Sequence, residues 1–191
     1  MLIAFHKPFD VLSQFTQELP QHRTLAEFGF PPGVYPIGRL DRDSEGLILL
    51  SDDARWTDRL LNPRQAHPRT YHAQVEGTAT EDALQPLREG VRLKEFRTLP
   101  CKAHVLSEGE VHHPDRVPSI RFRKNIPTTW ISLTLTEGKN RQVRRMTAAV
   151  GLPTLRLIRV AIGQLQLSAI GLSPGQWREL SAAEQQLVIE R

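Results

Sequence analysis

Seven residues, Gly46-Leu47-Ile48-Leu49-Leu50-Ser51-Asp52, limit most strongly what this chain can build. A run this short, with no polar break before Ser51, suits a strand buried on both faces; it is too short for a membrane span. Directly before it, five charged residues (Arg39, Asp41, Arg42, Asp43 and Glu45) stand between Gly38 and Gly46. A loop that feeds a buried strand is a rigid mount for polar groups. The same five charges could instead neutralise one another in a self-paired surface turn.

Around this strand the chain alternates short apolar segments with proline and glycine punctuation. Strands are expected at 2–6, 11–15, 46–52, 69–76, 101–107, 129–136, 155–162 and 164–167. Thr24 and Glu27 have capping-box spacing and predict a short helix, as do Ser181 and Glu184 near the end. Asp53 should cap a helix that reaches about residue 61 and stops at Asn62-Pro63. Helices are also expected at 80–89, closed by Gly90, and at 140–150, closed by Gly151 and Pro153. The polar, proline-punctuated stretch 108–128 reads as a long loop or hairpin insertion. Strands outnumber helices and often follow one another directly. The expected class is therefore α+β, with a mixed, largely antiparallel central sheet flanked by short helices.

The 191 residues suffice for a single domain with its own core. One cysteine, Cys101, excludes an internal disulfide framework and any cysteine-based zinc site, and it fits a reducing compartment. The first residues lack the long apolar run and small-residue cleavage site of a secretory leader, so a cytoplasmic protein is expected. Net charge is only +4, but its distribution is uneven. Between Gly138 and Val160 stand Lys139, Arg141, Arg144, Arg145, Arg156 and Arg159 without any acidic residue. A second cluster holds Arg116, Arg121, Arg123 and Lys124. Such basic zones on a near-neutral background suit a polyanion such as nucleic acid, or else a solvated face. On a helix beginning at Asn140, Arg141, Arg144 and Arg145 would share one face, with Val143, Met146 and Val150 on another. The histidines His67, His72, His104, His112 and His113 match no standard metal-site spacing, and no metal is expected.

Several motifs, in order along the chain, resemble one family. The run Gly38-Arg39-Leu40-Asp41-Arg42-Asp43-Ser44-Glu45-Gly46 is similar to the signature of the RsuA-type rRNA pseudouridine synthases. The opening His6-Lys7-Pro8-Phe9-Asp10-Val11-Leu12-Ser13 resembles the motif of theirs that begins N-K-P-x-G, departing at His6 and Asp10. The stretch Glu137-Gly138-Lys139-Asn140-Arg141-Gln142-Val143-Arg144-Arg145-Met146 resembles their E-G-x-x-x-Q-[VI]-[KR]-R-M motif. Residues 155–163 and 175–180 also fit. The resemblance implies the pseudouridine synthase fold with a catalytic cleft. It implies one catalytic domain over residues 1–191, divisible into two halves around that cleft, without the S4-type RNA-binding module many relatives carry. It implies an isomerase acting on rRNA, with 23S rRNA of the large subunit or an assembling ribosomal particle as partner, working as a monomer.

The resemblance also assigns roles. Asp41 would be the catalytic carboxylate and Arg144 its basic partner. Tyr71, in Arg69-Thr70-Tyr71, would face the uracil. Arg39 would lie beside the flipped nucleotide, and Lys139, Arg141 and Arg145 would contact RNA. Leu157 or Val160 would wall the base pocket, and the first motif would be scaffold behind the site. Arg42, Asp43 and Glu45 would pair within the loop. The reaction involves no redox step or energy input, so no cofactor is expected. Two other readings stay open on the residues alone. One is a catalytically idle RNA-binding assembly factor on the same fold. The other is a hydrolase using Asp41 and Asp43 as an acid/base pair, which leaves the third motif unexplained.

Overall fold

The computed structural model describes residues 1–120 and 126–190. In chain order the strands and helices begin with β1 (Leu2–Lys7), β2 (Val11–Leu12), β3 (Arg23–Thr24), β4 (Tyr35–Pro36), β5 (Glu45–Ser51) and α1 (Arg55–Leu61). There follow β6 (Arg69–Glu76), α2 (Gln85–Glu89), β7 (Lys102–Val105), β8 (Thr128–Leu135), α3 (Gln142–Ala149) and β9 (Thr154–Ile162). The last are β10 (Leu165–Gln166), α4 (Leu167–Ile170), β11 (Trp177–Glu179) and α5 (Ala182–Ile189). The class is α+β with largely antiparallel pairing, as expected. Two compact units divide the chain, one of Met1–Arg69 with Ile158–Arg191 and one of Thr70–Leu157.

In the first unit, β1 pairs antiparallel with β5 on one side and β11 on the other. β5 pairs in parallel with β9, Gly46 lying opposite Arg159. Every residue of β1 and β5 is buried, which is why the 46–52 run carries no polar alternation. The side chains still divide by face. Leu2, Ala4, Leu47 and Leu49 pack with Leu60, Ile162, Ile170 and Val188. On the other face Phe5 meets Phe28 at 4.8 Å and Phe30 edge-on at 5.1 Å, and Phe30 meets Trp177 at 5.5 Å. A one-residue slip of β5 would exchange these two sets, so the register is fixed.

In the second unit, β8 pairs antiparallel with β7 and lies beside β6. Val143 and Met146 of α3, with Leu84 and Leu87 around α2, cover Ala73, Val75, Ile131, Leu133 and Leu135. The 108–128 stretch begins with one 3₁₀ turn, Glu108–Glu110. His113 within it hydrogen-bonds His72 of β6 ring to ring at 2.9 Å and packs on Trp130. Burial, helped by the nearby His104 charge, pushes His72 down to about 4. Arg116 donates to the carbonyls of Pro118 and Ser119; Arg121, Arg123 and Lys124 of that basic cluster lie outside the described residues. Among the described residues, no helix is long and apolar enough to cross a membrane.

Several element bounds differ from the sequence expectation, each for a local reason. Both capping boxes form, Thr24 with Glu27 and Ser181 with Glu184, although the first opens only a 3₁₀ turn. Asp53 accepts the Arg55 N–H at 3.0 Å, one position outside the cap, which Ala54 holds. The 11–15 strand shrinks to β2, and the Gln14 carbonyl beyond it takes the Leu25 N–H at 2.9 Å. The 80–89 helix is a turn followed by α2. The 164–167 strand gives way after Gln166 to the unexpected α4, and β11 was not foreseen. The 140–150 helix starts at Gln142, since Arg141 sits at φ 49°, in the left-handed region.

Candidate active site

Asp41 stands in a tight turn, half-buried, with the Ser44 N–H donating to its carbonyl at 3.0 Å. Three residues of the first motif hold this turn through its main chain. Ser13 brackets Leu40: its hydroxyl donates to the Leu40 carbonyl at 2.8 Å and accepts the Leu40 N–H at 3.1 Å. Lys7, fully buried, donates from Nζ to the carbonyls of Ser44 at 2.7 Å, Pro8 at 2.9 Å and Arg42 at 3.4 Å. Asp10 donates its N–H to the Arg42 carbonyl at 2.9 Å and accepts Arg42 Nε at 2.6 Å. The spacing Lys7-x-x-Asp10-x-x-Ser13 is thus a polar clamp on residues 40–44, not only packed scaffold. Arg42 takes its ion pair from Asp10, a residue outside the loop, which corrects the expectation of purely local pairing.

Electrostatics bind the clamp to the turn as well. Burial lowers Lys7 to about 7, against the opposing pull of Glu45, Asp43, Asp41 and Asp10. The unfolded chain keeps this lysine protonated up to its ordinary value of 10.5. Between those two pH values the unfolded state binds more protons, so stability rises with pH there. Gly46 closes the turn onto the sheet. Its φ is 104°, and an added Cβ would lie 2.3 Å from the Arg159 carbonyl oxygen and 2.7 Å from its nitrogen. Arg39 is exposed two residues before Asp41. Among the other residues assigned to the site, Val160 belongs to this first unit and is half-buried.

The second unit holds Tyr71, Lys139, Arg141, Arg144, Arg145 and Leu157. Tyr71, half-buried on β6, packs against the core in which Leu157 is buried. The third motif builds a second polar frame. Glu137 Oε1 accepts the Leu99 N–H at 2.7 Å and Gln142 Nε2 at 2.6 Å. Gln142 Oε1 in turn accepts the Lys139 N–H at 3.0 Å. Glu137 and the buried Gln142 therefore fold the loop ahead of α3. Their role escaped the sequence reading, although the fixed spacing of Glu137 and Gln142 was the signal that could have found it.

This frame alters the expected row of arginines. Arg141, in the left-handed region and exposed, precedes the helix instead of sharing a face with Arg144 and Arg145. Arg144 is half-buried and donates from Nη1 to the Thr154 carbonyl at 3.1 Å. Arg145 pairs with Glu95 and lies over the Phe96 ring at 5.4 Å, which Lys139 Nζ also covers at 4.1 Å. One fixed guanidinium and a small cationic cluster on an aromatic ring suit an anionic, base-bearing ligand.

A sequence profile described as RNA pseudouridylate synthase matches residues 1–149. The chain is 54% identical over 171 residues to the ribosomal large subunit pseudouridine synthase E of Xanthomonas axonopodis pv. citri (strain 306), covering 89% of this chain and 90% of that protein. It is 36% identical over 181 residues to the ribosomal large subunit pseudouridine synthase B of Bacillus subtilis (strain 168), covering 94% of this chain and 67% of that one. A crystal structure of a pseudouridylate synthase superposes with a TM-score of 0.79 at 26% identity, over 98% of this chain and 73% of the other. By profile, identity and fold alike, the chain belongs to the RNA pseudouridylate synthase family of isomerases.

Proposed function

We propose that this chain isomerises a specific uridine of 23S rRNA to pseudouridine, with Asp41 as the catalytic carboxylate. The observation that carries the reading is the Asp41 turn, held at Leu40, Arg42 and Ser44 by Ser13, Asp10 and Lys7. A carboxylate that must act on one ribose atom needs this fixed main chain beneath it. The target uridine leaves the RNA stack to reach it. The N1–C1′ bond breaks, C5 bonds to C1′, the C5 hydrogen leaves as a proton to water, and N1 gains a proton. Asp41 acts ionised, whether it adds to C1′ or removes a sugar proton. Arg144 is the basic partner that the family pattern assigns to this carboxylate. Tyr71 stacks on the uracil and assists loss of the C5 proton. Arg39 occupies the vacated stack or binds its phosphate, and Leu157 or Val160 walls the base. Lys139, Arg141 and Arg145 contact the RNA backbone. The protein works as a monomer in the cytoplasm, on free rRNA or on an assembling particle, and needs no cofactor.

The test is tritium release from rRNA labelled at uracil C5, offered both as free 23S rRNA and as immature large-subunit particles. About one tritium per rRNA is expected from one of the two. Binding without release from either would favour the idle RNA-binding reading instead.

The Lys7 clamp gives a second expected result. Lys7→Met keeps the length of the side chain and removes its donors. Turnover should fall about 10–100-fold, the cost of loosening a catalytic group by roughly an ångström. Loss of a costly buried charge offsets loss of the hydrogen bonds, so unfolding free energy should change by less than about 2 kcal/mol. Urea unfolding between pH 7 and pH 10 should also lose the rise with pH that Lys7 confers. Unchanged turnover would show that the clamp does not position Asp41.

A further inference from the structure

Asp10 occupies a backbone conformation that glycine normally takes, with φ at 64°. The family pattern has glycine there. A non-glycine residue in this region carries a conformational cost, which Asp and Asn bear best. What Asp10 gains is one partially exposed ion pair with Arg42, a kind of contact whose stabilisation is small. The two effects are of the same order, so stability alone does not explain the carboxylate.

The geometry of the pair suggests what does. Asp10 grips Arg42 twice, by its N–H on the Arg42 carbonyl and by Oδ1 on Nε at 2.6 Å. Binding through Nε fixes the plane of the guanidinium while both terminal Nη groups stay clear of that bond. The Arg42 side chain is 41% exposed, directly after Asp41 in the chain. The clamp and turn together carry four carboxylates (Asp10, Asp41, Asp43, Glu45) and three cations (Lys7, Arg39, Arg42). Lys7 is buried, so only arginines can meet an anion brought to this turn. A planar guanidinium held from one side is suited to bind a phosphate with its free edge.

We infer that Arg42, oriented by Asp10, binds a backbone phosphate of the RNA strand next to the target nucleotide. The inference rests on the reading of Asp41 as the catalytic carboxylate for an RNA substrate. Asp10 is then a positioning residue and Arg42 the contact.

The experiment compares wild type, Asp10→Gly, Arg42→Ala and the double variant on 23S rRNA. Tritium release gives kcat and KM, filter binding across a salt series gives Kd, and a thermal melt reports folding. Asp10→Gly relieves the left-handed strain, so its melting temperature should equal or exceed that of wild type. Glycine keeps the N–H on the Arg42 carbonyl, so KM should nevertheless rise about 5–10-fold, by clearly more than kcat falls. Arg42→Ala should match that rise and reduce the slope of log Kd against log salt by about 0.7–0.9, the loss of one phosphate contact. The double variant should be no worse than the poorer single one. Wild-type KM and salt slope in both single variants, or independent additive losses in the double, would overturn the inference. Filter binding reads the contact without turnover: absence of tritium release by wild type counts against the proposed reaction, whereas unaltered binding by active variants counts only against Arg42.

Discussion

Asp41→Asn is expected to abolish tritium release, lowering turnover by at least about 10³-fold, equivalent to roughly 4 kcal/mol of barrier. The substitution is nearly isosteric; it removes the charge and turns one acceptor oxygen into an NH2 donor. The turn around it is held through main-chain groups: the Asp41 carbonyl takes the Ser44 N–H, and Ser13 and Lys7 bond the main chain on either side. The loop should therefore keep its shape, and RNA affinity should stay within a few-fold of wild type. This combination separates chemistry from binding. Measured by single-turnover release and filter binding on the same rRNA, retained turnover would remove Asp41 from the catalytic role. A parallel loss of affinity would make it a binding residue instead.

Gly46→Ala is expected to have the largest effect on folding. The Cβ would lie 2.3 Å from the Arg159 carbonyl oxygen, and both are main-chain positions in paired strands, so no side-chain rotation relieves the clash. Relief requires β5 and β9 to separate, yet every residue of β5 is buried. The left-handed φ of 104° adds its own cost. Together these should cost about 3 kcal/mol or more, among the large effects known for single substitutions. The variant should be insoluble or unfold at much lower urea. Gly33→Ala is the control: its φ is 82°, but nothing lies within 4 Å of an added Cβ. It should lose only about 1–2 kcal/mol from backbone strain. Similar midpoints for the two variants would refute the claim that close approach of strands, and not conformation alone, demands glycine at position 46.

What could be read from the chain and what could not divides along the range of the interactions. β5 was legible because its apolar run is self-contained, and the two capping boxes because donor and acceptor lie three residues apart. β11 was not, since Trp177-Arg178-Glu179 has no strand pattern of its own and becomes a strand only against β1. Arg141 was placed on a helix by spacing, whereas Glu137 and Gln142 determine where that helix starts. The same holds at the candidate site. Asp41 and its neighbours stood out as a motif, but the bonds from Lys7 and Ser13 end on carbonyls and N–H groups, which carry no residue identity. Lys7 and Ser13 showed only as motif residues, and Asp10 as an aspartate where the family pattern has glycine.

The order in which the first unit is assembled bears on synthesis. The second unit is one continuous segment, Thr70–Leu157, whose partners all emerge from the ribosome together. The first unit is not: β1 lies between β5 and β11, and β9 and β11 are translated more than 100 residues after Lys7. A nascent chain stopped near residue 157 would expose β1 along one whole edge, a template for unwanted pairing. The strand that carries Lys7 is thus completed last although it is made first. Competence for catalysis then arrives only after Trp177–Glu179 has emerged to pair with β1, and loss of the segment after Leu157 should yield an aggregating protein in place of a weakly active one.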